Sequence, residues 1–163
     1  GSEMCIRDRL SAISHEFEGK AVLLVDDSIV RGTTSAQIVE MARDVGARKV
    51  YFASAAPPVR HPNVYGIDMP AVDEFIANGR SIDEINAIIG SDRLFYQTLE
   101  DLIDVTSIGP APPERFDASC FNGEYVTKDI DASYLETLRA RRNDGAKSTR
   151  ASTEVVGLHN GEA

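Results

Sequence analysis

Asp26 and Asp27 are adjacent carboxylates placed directly after an apolar run, and Ser28, Arg31, Thr33, Thr34 and Ser35 follow them closely. Paired carboxylates suit ribose hydroxyls, and donors at the start of a helix suit a phosphate. Gly32, in their midst, permits a tight turn or a close approach of backbone to ligand. Carboxylates for ribose hydroxyls, then amides and hydroxyls for a phosphate, describe a cradle for ribose 5-phosphate. The same residues have plainer uses: an acidic pair commonly closes a strand, and Ser and Thr are ordinary helix caps. Residue type and spacing leave both readings open.

The elements that would position these groups are legible in the hydropathy. Residues 21–25, AVLLV, are apolar without alternation, which predicts a strand buried on both faces, as in a parallel sheet. Successive strand residues face opposite ways, so Asp26 and Asp27 serve one ligand only if the strand is already ending. After a turn over 28–34, Ile38, Met41, Ala42 and Val45 recur at helical spacing, and Gly46 stands where that helix should stop. Residues 49–55, KVYFASA, predict a second buried strand. Strand, helix and strand in this order predict a right-handed parallel βαβ unit. Its acidic pair would lie at the carboxyl end of the first strand, where open α/β sheets bind ligands.

Downstream, 64–67 reads as a short strand and 71–78 as a helix stopped by Gly79. Ser81 and Glu84 form a capping box that opens a helix through Ile89, with Gly90 as its stop. Residues 93–96 read as a strand, Thr98 as the cap of a helix over 99–105, and 109–113 as a linker. A turn is expected at Asn122-Gly123, and Ser133 is expected to cap a helix from Tyr134 to about Arg142. From Asn143 the chain is polar and weakly patterned, which predicts a frayed tail. The fold class expected is α/β, a parallel sheet with flanking helices, followed by the C-terminal helix and tail.

Charge narrows the partners. Among 163 residues, 17 basic against 26 acidic side chains leave a net charge of −9. Such a chain has no basic face for general nucleic-acid binding, whereas a local phosphate site built from backbone amides needs no net positive charge. No apolar run approaches the roughly 20 residues of a membrane span, so no membrane partner is expected. The first residues lack the apolar core of a secretory signal. Cys5 and Cys120 lie far apart, which speaks against a disulfide framework and for a reducing cytoplasm. His15, His61 and His159 have no partner arrangement that suggests a base or a ligand, and solvation is expected for each.

The string over 22–35, VLLVDDSIVRGTTS, resembles the phosphoribosyl-pyrophosphate (PRPP) motif of type I phosphoribosyltransferases. Its Ser28-Ile29-Val30-Arg31 loop is similar to that of the amidophosphoribosyltransferase family in particular. Segments 53–57 (ASAAP), 62–70 (PNVYGIDMP) and 121–129 (FNGEYVTKD), the series from Asp83, and 138–147 resemble the same family. The likeness runs from about Leu10 to Lys147. Residues 1–9 match poorly and are expected to be a leader outside the family pattern. Residues 10–130 would be the C-terminal part of a phosphoribosyltransferase domain, and 131–163 a helix with a polar tail.

The resemblance implies an enzyme that makes 5-phosphoribosylamine, pyrophosphate and glutamate from PRPP, glutamine and water, the opening step of purine synthesis. It implies that Asp26 and Asp27 meet the ribose hydroxyls and the Mg²⁺ that travels with PRPP. Ser28, Ile29, Val30, Arg31, Gly32, Thr33 and Thr34 would wrap the 5′-phosphate. Arg31 would order the loop or its phosphate, against the plainer reading of a surface ion pair with an acidic residue. Tyr65 and Asp68 are expected at the sheet edge. Implied partners are PRPP, purine nucleotides as feedback inhibitors, a glutaminase domain elsewhere in the parent polypeptide, and further copies in a homo-oligomer.

Three departures from the family pattern qualify this. The family's glutaminase nucleophile is an N-terminal Cys followed by Gly, whereas Cys5 is followed by Ile6. Some members hold an iron–sulfur cluster, but the corresponding positions are Asn63 and Asp117, leaving Cys120 alone, so no cluster is expected. The stretch before the motif is too short for the strands that carry the pyrophosphate and mobile loops. The chain is therefore expected to be a fragment, inactive alone. Two rivals share the fold: a PRPP-sensing regulator, disfavoured by the acidic charge, and a salvage phosphoribosyltransferase, disfavoured by the Ser28–Arg31 loop and Phe121-Asn122-Gly123.

Overall fold

The computed structural model describes residues 14–111, 113–127 and 129–140. The leader over 1–9 with Cys5, the helix end near Arg142, the tail from Asn143 and His159 lie outside the described residues. In chain order the elements are α1 (Ser14–Phe17), β1 (Ala21–Asp26), α2 (Thr33–Asp44), β2 (Lys49–Ser54), a 3-10 turn (Val72–Glu74), α3 (Ile82–Ile89), β3 (Arg93–Tyr96), α4 (Leu99–Thr106) and α5 (Ser119–Asn122). A last helix, α6, covers 132–140.

The three strands form one sheet in the order β1-β2-β3, every pair parallel. Leu24 stands beside Phe52, and Phe52 beside Leu94. The βαβ unit expected between Ala21 and Ala55 is present in its parallel form. One face of the sheet carries the core: Val50, Phe52 and Leu94 pack with Val39 and Ala42 of α2 and with Ile85 and Ile89 of α3. Full burial of each large aliphatic or aromatic side chain is worth about 1.5–3 kcal/mol over exposure, so this layer is the main source of cohesion. The Ser81 capping box forms as expected: the Glu84 amide donates to Ser81 Oγ at 3.3 Å, and the Ser81 amide to Glu84 Oε2 at 2.8 Å. Thr98 Oγ1 likewise caps α4 by accepting from the Asp101 amide at 3.1 Å.

Four expectations are corrected. β1 is not buried on both faces among the described residues, for Leu23 is 58% and Val25 68% exposed. These two align through the sheet with Tyr51 and Ala53, and then with Arg93 and Phe95, as a second face outside the core cluster. Residues 64–67 form no strand, and Tyr65 and Asp68 therefore build no sheet edge. Asn63 Oδ1 instead accepts from the amides of Tyr65 (2.8 Å) and Ile67 (3.2 Å), which curls the backbone away from extended pairing. The helix expected over 71–78 shrinks to the 3-10 turn. Phe75, Ile76 and Ala77 are all buried, and three consecutive residues cannot share one face of a helix. Finally, α6 is capped by Asp131 rather than Ser133, with Asp131 Oδ1 accepting from the Tyr134 amide at 2.8 Å.

Asp92 ties three elements together where β3 begins. It accepts from Lys49 Nζ at 2.8 Å, from the Val50 amide at 2.8 Å and from Arg43 Nη2 at 3.1 Å. These donors, the Lys49 ammonium foremost and then the Val50 amide, pull its carboxyl pKa down to about 2. A depressed carboxyl contributes stability that is complete above its unfolded pKa and lost as pH falls through its folded one. Asp92→Asn is therefore expected to lower the unfolding midpoint at neutral pH. The gap from the native chain should shrink between about pH 4 and about pH 2, as thermal unfolding followed by circular dichroism would check.

Candidate functional site

β1 ends at Asp26, opposite Ser54 of β2, and Asp27 has already left the strand. That meets the condition under which two adjacent carboxylates turn to one ligand. The Asp27 amide donates to Asp26 Oδ1 at 3.0 Å, and Ser28 Oγ to Asp27 Oδ1 at 3.1 Å, so the pair is locally ordered. Among the described residues neither carboxylate has a Lys or Arg partner.

The loop that follows is held from below and from one side. Ile29 drops into the core beside Ile76 and Ala77. The Val30 carbonyl accepts from the Ile76 amide at 2.8 Å. Arg31 Nε donates to Glu74 Oε2 at 2.9 Å, across 43 residues of sequence. Gly32 takes φ 78°, and a Cβ added there would collide with Ile76 Cδ1. Only glycine meets both demands at low cost.

α2 then begins at Thr33 without a side-chain cap, in contrast to α3 and α4. Its first internal bond runs from the Ala36 amide to the Gly32 carbonyl at 2.9 Å. The amides of Thr33, Thr34 and Ser35 find no acceptor among the described residues. Uncapped amides and the positive end of the helix dipole favour an anion here. They open on a cavity of about 430 Å³ that is also lined by Asp26, Asp27, Ser28, Val30, Arg31, Gly32 and Pro70.

Eight of the nine residues expected in the site from the sequence, Asp26, Asp27, Ser28, Val30, Arg31, Gly32, Thr33 and Thr34, thus line one cavity. Ile29 does not; it is the loop's buried anchor. Sequence reasoning missed Pro70 and Glu74. Pro70 sat inside a motif read for family likeness, and Glu74 inside a stretch read as helix, with no local signal pointing to the loop. Arg31 does pair with an acidic residue, but with a distant one.

Beside this site a second cavity of about 500 Å³ opens at the carboxyl ends of β2 and β3, lined by Ser54, Phe95, Tyr96, Gln97, Asp101 and Asp104 among others. Burial pushes the Tyr96 hydroxyl up to about 12, so it stays protonated at neutral pH. Asn63, Asp117 and Cys120 come together elsewhere, with Asn63 Nδ2 at 3.5 Å from Asp117 Oδ2. Burial and then the Asp117 charge raise the Cys120 thiol pKa. His61 is not simply solvated: its ring packs where a Cβ on Gly123 would sit, and burial lowers its pKa.

A parallel α/β sheet with an acidic pair and an uncapped helix start at a strand's carboxyl end has the phosphoribosyltransferase type of fold. No protein-family model matches the chain. Individual relatives are specific. The amidophosphoribosyltransferase of Escherichia coli K12 is 57% identical over 153 residues, covering 94% of this chain and 30% of the relative. That of Pseudomonas aeruginosa is 51% identical over 156 residues, covering 95% and 31%, and that of Saccharomyces cerevisiae 45% identical over 157 residues, covering 95% and 30%.

Two solved structures agree. The B. subtilis glutamine PRPP amidotransferase complexed with ADP and GMP superposes with a TM-score of 0.62 at 34% identity, over 83% of this chain and 31% of that one. A structure described as the allosteric regulatory enzyme of purine biosynthesis gives 0.68 at 36%, over 85% and 31%. By sequence and by fold the chain is similar to a C-terminal part of amidophosphoribosyltransferases. It spans about 30% of the length of the curated relatives it matches. Among the described residues no helix is long and apolar enough to cross a membrane.

The geometry at Gly32 generates a direct test. Gly32→Ala is expected to cost about 1–2 kcal/mol for the left-handed backbone alone, and more for displacing Ile76. Adding Ile76→Val, which removes Cδ1, should recover the steric part and leave the backbone part. Urea unfolding of the single and double variants separates the two.

Proposed function

We propose that the cavity at the end of β1 binds the ribose 5-phosphate half of PRPP, as the contribution of this chain to an amidophosphoribosyltransferase. One observation carries the reading: among the described residues, an uncapped helix start with three amides lacking acceptors shares a cavity with two carboxylates lacking cationic partners. Thr33 and Thr34, with the amides of α2, would take the 5′-phosphate, and Ser28 to Gly32 would wrap it. Asp26 and Asp27 would orient the ribose hydroxyls. Their charge would also stabilise the positive charge that develops at C1 as pyrophosphate departs.

The two carboxylates are hard oxygen donors of the kind Mg²⁺ takes together with substrate oxygens, and Asp26 and Asp27 are the residues that would hold it. When bound, the ion would neutralise the leaving pyrophosphate. The whole reaction would take nitrogen from glutamine to C1 of PRPP, giving 5-phosphoribosylamine, pyrophosphate and glutamate in the cytoplasm. To this chain we assign the ribose-phosphate subsite and no glutaminase chemistry. Purine nucleotides, which share a ribose 5-phosphate, would compete for the same donors. The regulator and salvage readings are not favoured, because relatives at 51–57% identity are amidophosphoribosyltransferases.

Two measurements test this. Ribose 5-phosphate, or PRPP with Mg²⁺, should raise the unfolding midpoint of the chain, and Asp27→Asn should weaken that binding. A folded chain indifferent to millimolar PRPP would sink the assignment. In the full-length protein Asp27→Asn is expected to cut PRPP-dependent turnover about 100-fold, as for loss of one preorganised electrostatic group, while glutamine hydrolysis stays measurable.

A further inference from the structure

We propose that Glu74 is a positioning residue for the phosphate loop, acting through Arg31. The inference rests on the reading of that loop as the 5′-phosphate site. Arg31 donates its Nε to Glu74 Oε2 at 2.9 Å, and its two terminal nitrogens have no partner among the described residues. A guanidinium carries five donors in a rigid fork, and its terminal pair matches two oxygens of a phosphate. Engagement at Nε alone therefore restrains the side chain while leaving the anion-binding end of the fork available. Arg31 is one of the residues that line the phosphate cavity.

Glu74 is fit to act as an anchor because its own backbone is held. Its amide donates to the Ala71 carbonyl at 2.8 Å, and the next amide, of Phe75, to the Val72 carbonyl at 3.1 Å. Phe75 and Ile76 are buried, and the Ile76 amide reaches the Val30 carbonyl one residue before Arg31. On the other side of Glu74, Asp73 pairs with Arg139 of α6. Loop and turn are thus joined by a main-chain bond and an adjacent side-chain bond, which together fix the origin and the direction of Arg31. An ion pair that merely decorated a surface would contribute little and would have no reason to sit on this joint.

The test uses the full-length protein with Glu74→Gln, Glu74→Ala, Arg31→Ala and the Arg31→Ala/Glu74→Ala double variant. Glu74→Gln should raise the KM for PRPP roughly tenfold, the equivalent of one charge-assisted hydrogen bond. Turnover at saturating PRPP, glutamine hydrolysis and the unfolding midpoint should stay close to native. The double variant should be no worse than Arg31→Ala alone, because Glu74 acts only through that side chain. Asp27→Asn and Thr34→Val serve as controls for the site itself. If both weaken PRPP use while Glu74→Gln does not, or if the Arg31 and Glu74 effects simply add, the positioning role is overturned and the site stands. If neither control affects PRPP use, the phosphate-site reading falls and this inference falls with it.

Discussion

The joint between the loop after β1 and the turn at 72–76 is the constraint on which the site depends. The Ile76 amide bonds the Val30 carbonyl, and the Ile76 side chain fills the space that any Cβ at residue 32 would need. Glycine at φ 78° lets the backbone reverse in that confined space and enter α2 directly. The helix has no side-chain cap, and its first amides are left without an acceptor among the described residues. A helix start of that kind favours an anion.

The open start of α2 contrasts with those of α3 and α4. α3 and α4 satisfy their starts with Ser81 and Thr98 through short, local bonds. The open start falls at the carboxyl end of a parallel strand, where the ladder ends and two carboxylates emerge beside it. A net charge of −9 does not by itself forbid an anion there. The fixed dipoles of a helix start act at close range, and distant surface carboxylates are screened by solvent.

The sheet tells a second story about stability. α2 and α3 cover one face well, while Leu23, Val25 and Phe95 leave the other apolar and open among the described residues. Parallel sheets are cohesive when both faces are covered. The arrangement around Asp92 and the capping boxes compensate only in part, because exposed ion pairs and caps contribute individually far less than a buried layer.

How much was legible beforehand follows from the range of the forces involved. β1, α2 and β2 were readable because an apolar run, a helical period and a terminating glycine are local signals. The capping box at Ser81 and the cap at Thr98 were readable for the same reason. Residues 26–34 were assigned together because they are contiguous, so chain connectivity alone brings them to one place. Residues 64–67 departed from a strand because Asn63 curls the backbone there, and 71–78 departed from a helix because their apolar residues serve contacts made across the fold, not a local period. Phe75, Ile76 and Ala77 are buried in succession to reach the core and the Val30 carbonyl, a pattern that imitates a helix in one dimension. The βαβ unit and the grouping of the loop residues in one cavity follow from neighbours in the chain. That Ile29 anchors the loop, that Leu23 and Val25 stay exposed and that Arg31 pairs with Glu74 came from tertiary packing alone. Those depend on which distant segments exclude water from the same volume, and no local pattern encodes that.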